Sequence, residues 1–154
     1  MVIIISVKSV DMDSKTALKI IIILALAGMA VDALLTYNKI TYSRIGCPAG
    51  GGCDIVTGSI YSEFLGIPVS LFGMGAFMLF IIVALLALNG KFPEKNAFQL
   101  IIAFSAVGLA IAAWFVYVMV YLLDAICPWC VLSHTILLAI FAISIYTLLK
   151  MRKA

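Results

Sequence analysis

The residues of this 154-residue chain best suited to chemistry are its four cysteines and its single histidine. Cys127 and Cys130 form a Cys-x-x-Cys pair, "CPWC", whose two sulfurs can bond across one helical turn. A thiol at a helix N-terminus has a lowered pKa, because the helix dipole stabilises the thiolate. Pro128 suits the first turn of a helix. The pair is therefore predicted to be reactive or metal-binding.

The other two cysteines, Cys47 and Cys53, lie in "GCPAGGGCD", where a proline and three glycines stand between them. Such a hinge can close a disulfide and can also swing one sulfur towards another partner. Taken alone, the segment fits a static structural disulfide as well as it fits a disulfide that exchanges with another partner. The four cysteines together are also a candidate all-thiolate zinc site, although zinc sites more often use two close pairs.

His134 lies on the same predicted helix face as the second cysteine pair. At about 100° per residue, Cys127, Cys130 and His134 fall within an arc of about 60°, with His134 about 6 Å deeper than Cys130. An ionisable residue inside a span is a functional candidate. The alternative is a histidine that hydrogen-bonds a neighbouring helix. A quinone suits this position, because it arrives through lipid, has a carbonyl that accepts a hydrogen bond and takes up two electrons.

The composition predicts a membrane protein. Hydrophobic residues make up 66% of the chain, charged residues 11%, and the mean hydropathy is +1.26, whereas a soluble domain carries about 25% charged residues. The net charge of +3 gives no support to nucleic-acid binding. Four apolar segments are long enough to span a bilayer as helices, so the fold is predicted to be an all-α bundle of four transmembrane helices. These segments cover residues 17–37, 67–88, 97–122 and 128–149.

The basic residues predict the orientation in the membrane. Eight of the ten lie on the side of the termini and the 89–96 loop, and only Lys39 and Arg44 lie on the other. We therefore expect both termini to be cytoplasmic and all four cysteines to face the outer side of the cell membrane, where disulfides persist. The predicted divisions are cytoplasmic tails at 1–16 and 151–154, a transmembrane domain at 17–150 and an outer redox loop at 38–66.

Several residues around these cysteines have more than one interpretation. The segment "DIVTGSIYSEF" is predicted to form a short half-helix capped by Asp54, and Pro68 suits the first turn of the second span. Asp32, inside the first span, is a candidate for bonding the loop, for handling protons or for reaching the interface. Small residues expected to allow close helix approach are Gly28, Gly73, Gly75 and Gly108. Aromatic residues that either wall a quinone site or form an interface belt are Trp114, Phe115, Tyr117 and Tyr121.

The segments "GCPAGGGCDIVTGSIYSEFLGIPVSLFG" and "CPWC" together resemble the vitamin K epoxide reductase family, most closely its bacterial and archaeal branch. The likeness extends from Thr16 over nearly the whole chain and includes "VDALLTY" in the first span. It implies a four-helix bundle around a quinone of the menaquinone or ubiquinone type, capped by a half-helix in the outer loop.

By the same resemblance, Cys127 and Cys130 form the active-site disulfide, and Cys47 and Cys53 form a shuttle pair. The chain is then an enzyme that oxidises a thioredoxin-like partner by thiol–disulfide exchange and reduces the membrane quinone pool, so that disulfides form outside the cytoplasm. Many bacterial members carry a fused thioredoxin-like domain. This chain ends at Ala154, so its partner is expected to be a separate protein.

The resemblance also assigns quinone-binding positions. Ser59 matches the family serine between loop and active site, and Tyr61 stands where many members have tryptophan. His134 and Val69 fall where the vertebrate enzymes have a quinone-binding tyrosine and asparagine. Ser59, Tyr61 and His134 are therefore expected to contact the quinone. Two alternatives remain: a vitamin K quinone or epoxide reductase using the same cysteines, and a non-catalytic membrane subunit with structural disulfides or zinc.

Overall fold

The computed structural model of the chain describes residues 13–41 and 52–153. These residues form five helices, and all except α2 are long and apolar enough to cross a membrane, so the predicted four-helix bundle is confirmed. The helices are α1 (Ser14–Thr41), α2 (Cys53–Gly58), α3 (Val69–Leu88), α4 (Glu94–Tyr117) and α5 (Pro128–Lys153). A π-helical turn, Val118–Leu122, extends α4.

The membrane helices are mostly longer than the predicted spans. Segments 17–37 and 128–149 lie wholly inside α1 and α5, and segment 97–122 lies inside α4 together with its π-helical extension. The second segment begins at residue 67, two positions before α3. Hydropathy marks only the apolar stretch, whereas the backbone hydrogen bonds continue into polar ends such as Glu94 and Lys150. The helical ends of α1, α4 and α5 therefore reach beyond the apolar stretch of their spans.

Helix α1 lies centrally, packed against α3 and α5, and α4 packs against α5. Three of the four glycines named above allow the predicted close approach. A Cβ at Gly28 would lie 2.5 Å from the ring of Phe77, and one at Gly108 would lie 2.9 Å from the Leu137 side chain. The third, Gly73, packs against the side chain of Asp32 on α1. At Gly75 the prediction is wrong, because no atom of another helix among the described residues lies within 4 Å of such a Cβ.

The described part of the loop between α1 and α3 is built from short elements. After α2 come a 3₁₀ turn (Ile60–Ser62) and a hairpin of β1 (Glu63–Phe64) and β2 (Ile67–Pro68). The hairpin turn has φ of 55° at Leu65 and 79° at Gly66, and such a pair of positive values matches the twist of a tight hairpin. Lys39 near the end of α1 bonds Glu63 of β1 at 3.0 Å, which ties this hairpin to the bundle.

The predicted half-helix exists but is shorter than expected, since it ends at Gly58 and Ser59 is extended. The predicted cap is wrong: Gly52 takes the N-cap position without a side-chain bond, and Asp54 lies in the first turn. Pro68 lies in β2 and precedes α3, one residue before the predicted position. Its extended backbone lets the chain leave the hairpin before the helix begins.

Candidate active site

Cys127 immediately precedes α5 and takes the N-cap position of that helix. Its carbonyl accepts the backbone N–H of Val131 at 3.1 Å, and its sulfur accepts the backbone N–H of Cys130 at 3.3 Å. N-cap side chains usually accept from this third helical position through oxygen, and here a sulfur does so. Pro128 takes the first helical position, as predicted. The Cys-x-x-Cys pair is thus part of the helix start.

The two sulfurs of this pair are within bonding reach of each other. The Cys130 thiol donates to the Cys127 sulfur at 2.7 Å, and both cysteines are free. This hydrogen bond lowers the pKa of Cys127 to about 7, against the opposing effect of burial. Cys127 is therefore substantially thiolate near neutral pH, which is the nucleophilic form. Forming a disulfide requires the sulfurs to approach by less than about 1 Å.

Helix α2 brings Cys53 into the same buried cluster as Cys127. The backbone N–H of Gly52 donates to the carbonyl of Ile126 at 3.1 Å, and a Cβ on Gly52 would lie 2.5 Å from that of Ala125. A side chain at position 52 would push α2 away from the Cys127 segment. Cys53 is disulfide-bonded and 1% exposed. The fourth predicted redox residue, Cys47, lies outside the described residues.

Cys130, but not Cys127, also lines a cavity of about 500 Å³ inside the bundle. Its volume is typical of small-molecule sites, and its wall is mostly apolar with a few polar groups. Polar and ionisable wall residues on the membrane helices are Asp32, Lys39, Ser70, Cys130, Ser133 and His134. The pair therefore has one cysteine within the buried cluster that contains Cys53, and the other in the wall of a ligand-sized space.

His134 lies one helical turn beyond Cys130 and lines the same cavity. Its Nδ1 is buried and has no hydrogen-bond partner among the described residues. Its ring contacts that of Phe115 on α4, with centroids 6.5 Å apart. Because an unpaired buried polar atom costs about 1–3 kcal/mol, a ligand that supplies a partner here gains affinity.

The structure separates the predicted aromatic residues into two groups. Phe115 lines the cavity. Trp114, Tyr117 and Tyr121 are exposed and stack in series, with ring centroids 5.7 and 5.1 Å apart. This second group has the arrangement of an interface belt, since amphipathic rings favour the headgroup region.

Two predicted quinone contacts, Ser59 and Tyr61, do not line the cavity. The Ser59 hydroxyl donates to the carbonyl of Val56 at 2.8 Å, and Tyr61 is 37% exposed. The loop segment instead contributes three other residues to the wall, namely Val56, Thr57 and Ser62. Quinone contact by Ser59 and Tyr61 stays a prediction.

Asp32 is held in the cavity wall by residues that the sequence analysis did not connect with it. The Ser133 hydroxyl donates to its Oδ1 at 2.8 Å, and its Oδ2 packs directly against Gly73 of α3. Ser133 was missed as a site residue. Its spacing of three from Cys130, which places both on one helix face, is the signal that identifies it.

Within residues 13–41 and 52–153, no three His, Cys, Asp or Glu side chains are grouped so that they could hold a metal ion. Cys47, which belongs to the candidate zinc set, lies outside these residues. A comparison of the sequence with known protein families gives a match that covers most of the chain. The model of the vitamin K epoxide reductase family matches residues 19–145, which include the four cysteines and the cavity residues. The chain therefore belongs to the vitamin K epoxide reductase family, whose members are membrane oxidoreductases associated with quinones.

Proposed function

We propose that this protein is a quinone-dependent thiol oxidoreductase that supports disulfide formation outside the cytoplasm. The observation that carries the proposal is the different surroundings of the two sulfurs in one Cys-x-x-Cys pair. Cys127 is fully buried in a cluster with Cys53, whereas Cys130 lines the 500 Å³ cavity beside His134. One disulfide at this point connects a thiol relay with a ligand site.

The relay that we propose uses thiol–disulfide exchange at each step. A partner thiolate opens the Cys47–Cys53 disulfide, and the freed Cys53 attacks Cys127, so that a Cys53–Cys127 bond forms and Cys130 leaves as a thiolate. The partner's second thiol then attacks the mixed disulfide that its first thiol formed with Cys47, which releases the partner as a disulfide and frees Cys47. Cys47 attacks Cys53 and displaces Cys127, which restores the loop disulfide and leaves the inner pair reduced. The lowered pKa of Cys127 makes it a good leaving group in this last exchange.

The cavity fits a quinone of the menaquinone or ubiquinone type. His134 offers an unpaired ring nitrogen to a quinone oxygen, and the apolar wall accommodates the ring. A bound quinone takes up two electrons and two protons. Wall residues on α3 and α4 are also about half exposed on the outside of the bundle, which gives access from lipid. They are Phe72, Phe104, Val107 and Ile111.

We also propose that the thiol donor is a separate thioredoxin-like protein and that the cysteines face the outer side of the cell membrane. Eight basic residues on one side against two on the other support this orientation. A membrane-impermeant thiol reagent should label the reduced loop cysteines in intact cells. Labelling that requires permeabilised cells would reverse the assignment.

The experiment that tests the function follows a soluble short-chain quinone while purified protein is supplied with a reduced thioredoxin-fold protein. One quinone should be reduced for each partner disulfide formed. Replacing Cys127 or Cys130 with Ser should abolish turnover, and the control Thr135→Val, on the exposed side of α5, should retain it. Wild-type turnover in the Cys127→Ser variant would refute the relay.

A parallel assay with vitamin K epoxide separates the closest alternative. Val69 lines the cavity at the position where the vertebrate enzymes have asparagine, and its side chain donates no hydrogen bond. We therefore expect quinone reduction to exceed epoxide reduction. The opposite ratio would assign the vitamin K epoxide reaction to this site instead.

A further inference from the structure

The relay described above leaves one buried acid of the cavity without a role. Asp32 of α1 is 4% exposed, and it is the one carboxyl group among the described residues that line the cavity. Carboxyl groups inside membrane spans are rare because they are costly to bury, and they often mark proton pathways. Its position inside a redox cavity therefore calls for a chemical explanation.

The structure connects Asp32 with the reacting thiol through α5. Ser133, which donates to Asp32 Oδ1 at 2.8 Å, lies three residues after Cys130 and therefore about one turn along the same helix face. Asp32, Ser133 and Cys130 all line the cavity.

The other ionisable wall residues are already engaged or differently placed. Lys39 lies 3.0 Å from Glu63 of β1. His134 has its Nδ1 buried without a partner among the described residues, and its ring contacts that of Phe115. Gly73 leaves room for Asp32 Oδ2 in a place where any other side chain would collide with it. The sequence thus provides both a hydrogen-bond donor and a space for this acid.

We propose that Asp32, positioned by Ser133, accepts the proton of the Cys130 thiol and passes it on to the quinone bound in the cavity. The inference rests on the proposed function. Oxidation of the inner pair, with Cys127 as thiolate and Cys130 as thiol, breaks one S–H bond and forms one S–S bond. The two electrons, the proton of Cys130 and a second proton from water convert one quinone to one quinol. Asp32 carries one of these protons through the cavity, and the carboxyl is restored to its starting state after each turnover.

The first test is a single turnover of reduced protein with a soluble quinone. Asp32→Asn keeps an oxygen for Ser133 but carries no proton, and it should slow reoxidation by about tenfold or more, since acid–base groups contribute about 10²–10⁴-fold. Asp32→Glu should recover most of the rate. Asp13→Asn, an exposed acid before α1, is the matched control and should behave as wild type. Reduction of the loop disulfide by a dithiol should be unchanged in all three variants.

The second test needs no quinone and uses infrared spectroscopy. The reduced protein is oxidised chemically in the absence of quinone, so that the proton accepted by Asp32 has no quinone to go to, and the carboxyl region is compared before and after. A band of a single sign reports a change in protonation, whereas a paired positive and negative band reports only changed surroundings. We expect a single-signed band in wild type and Asp13→Asn, a shifted band in Asp32→Glu and none in Asp32→Asn.

Three results would overturn this inference: reoxidation of Asp32→Asn slowed by less than about tenfold, equal losses in Asp32→Asn and Asp32→Glu, or a wild-type band that is absent or paired. If Asp32→Asn does not fold, Ser133→Ala takes its place and should slow reoxidation without altering reduction by a dithiol; an unchanged rate overturns the proposal. If the wild-type protein reduces no quinone, the proposed function fails, and the infrared result still decides whether Asp32 exchanges a proton with the dithiol.

Discussion

Replacing His134 with Phe tests the quinone site directly, because the two side chains have similar shape and only one can form a hydrogen bond. The His134 Nδ1 is buried without a partner among the described residues, so a quinone oxygen would be its first partner. One hydrogen bond contributes about 0.5–1.5 kcal/mol. Its loss should therefore raise the KM for quinone by roughly 2- to 13-fold.

The same geometry predicts the opposite effect on the quinone-free protein. A buried, unpaired polar atom costs about 1–3 kcal/mol, and phenylalanine has no such atom. The added volume can enter the adjoining cavity, so it should not force the helices apart. His134→Phe should therefore melt at the same temperature as wild type or higher, while its stabilisation by added quinone should be smaller.

The assay compares wild type with His134→Phe, His134→Tyr and the control Thr135→Val, whose exposed side chain does not line the cavity. Tyrosine restores a donor and should recover part of the affinity for quinone. Reduction of the loop disulfide by the partner should be equal in all four proteins. An unchanged KM in His134→Phe, together with a lowered melting temperature, would show that the histidine only packs between helices and would refute the reasoning.

Three further predictions follow from the cysteines and from α3. In reduced protein, the thiolate absorbance of Cys127, measured as the difference from Cys127→Ser, should rise with increasing pH and have its midpoint near pH 7. Cys130→Ala should move that midpoint upward, because the hydrogen bond that Cys130 donates to the thiolate is lost. In Cys130→Ala under oxidising conditions, mass spectrometry should find a Cys53–Cys127 disulfide, and its absence would contradict the relay. Gly73→Ala should cost about 1–3 kcal/mol in thermal unfolding by displacing a buried carboxyl, whereas Gly75→Ala on the open side should be neutral or stabilising by up to about 1 kcal/mol.

Features of the fold that depend on neighbouring residues in the chain could be predicted from the sequence. The four spans follow from continuous apolar segments. The reactive pair follows from Pro128 between two cysteines, because proline at the first helical position and a capping sulfur are local properties. His134 was placed one turn from Cys130 by helical spacing alone, and the structure has both in one cavity wall.

Features that depend on contacts between distant segments were not predicted. Ser133 and Asp32 are 101 residues apart in the chain, so their bond appears only when α1 and α5 pack together. The cap of α2 was assigned to Asp54 from local preference, but the close contact of Gly52 with Ala125 fixes where that helix begins. Tertiary packing thus overrode a sound local rule and also supplied a site residue that no motif marks.

In the proposed function, the different surroundings of the two cysteines let one small site connect a protein partner with a lipid-soluble one. A protein thiol cannot enter a mostly apolar cavity within the bundle, and a quinone has no need to reach the loop. Cys127 packs in the cluster that contains Cys53. The sulfur of Cys130 lies 2.7 Å from the sulfur of Cys127, and Cys130 also lines the cavity. In the proposed relay, electrons therefore enter the pair by exchange of one S–S bond at Cys127 and leave it from Cys130 in the cavity wall. A Cys-x-x-Cys pair placed deeper in α5 would lose contact with the cluster that contains Cys53.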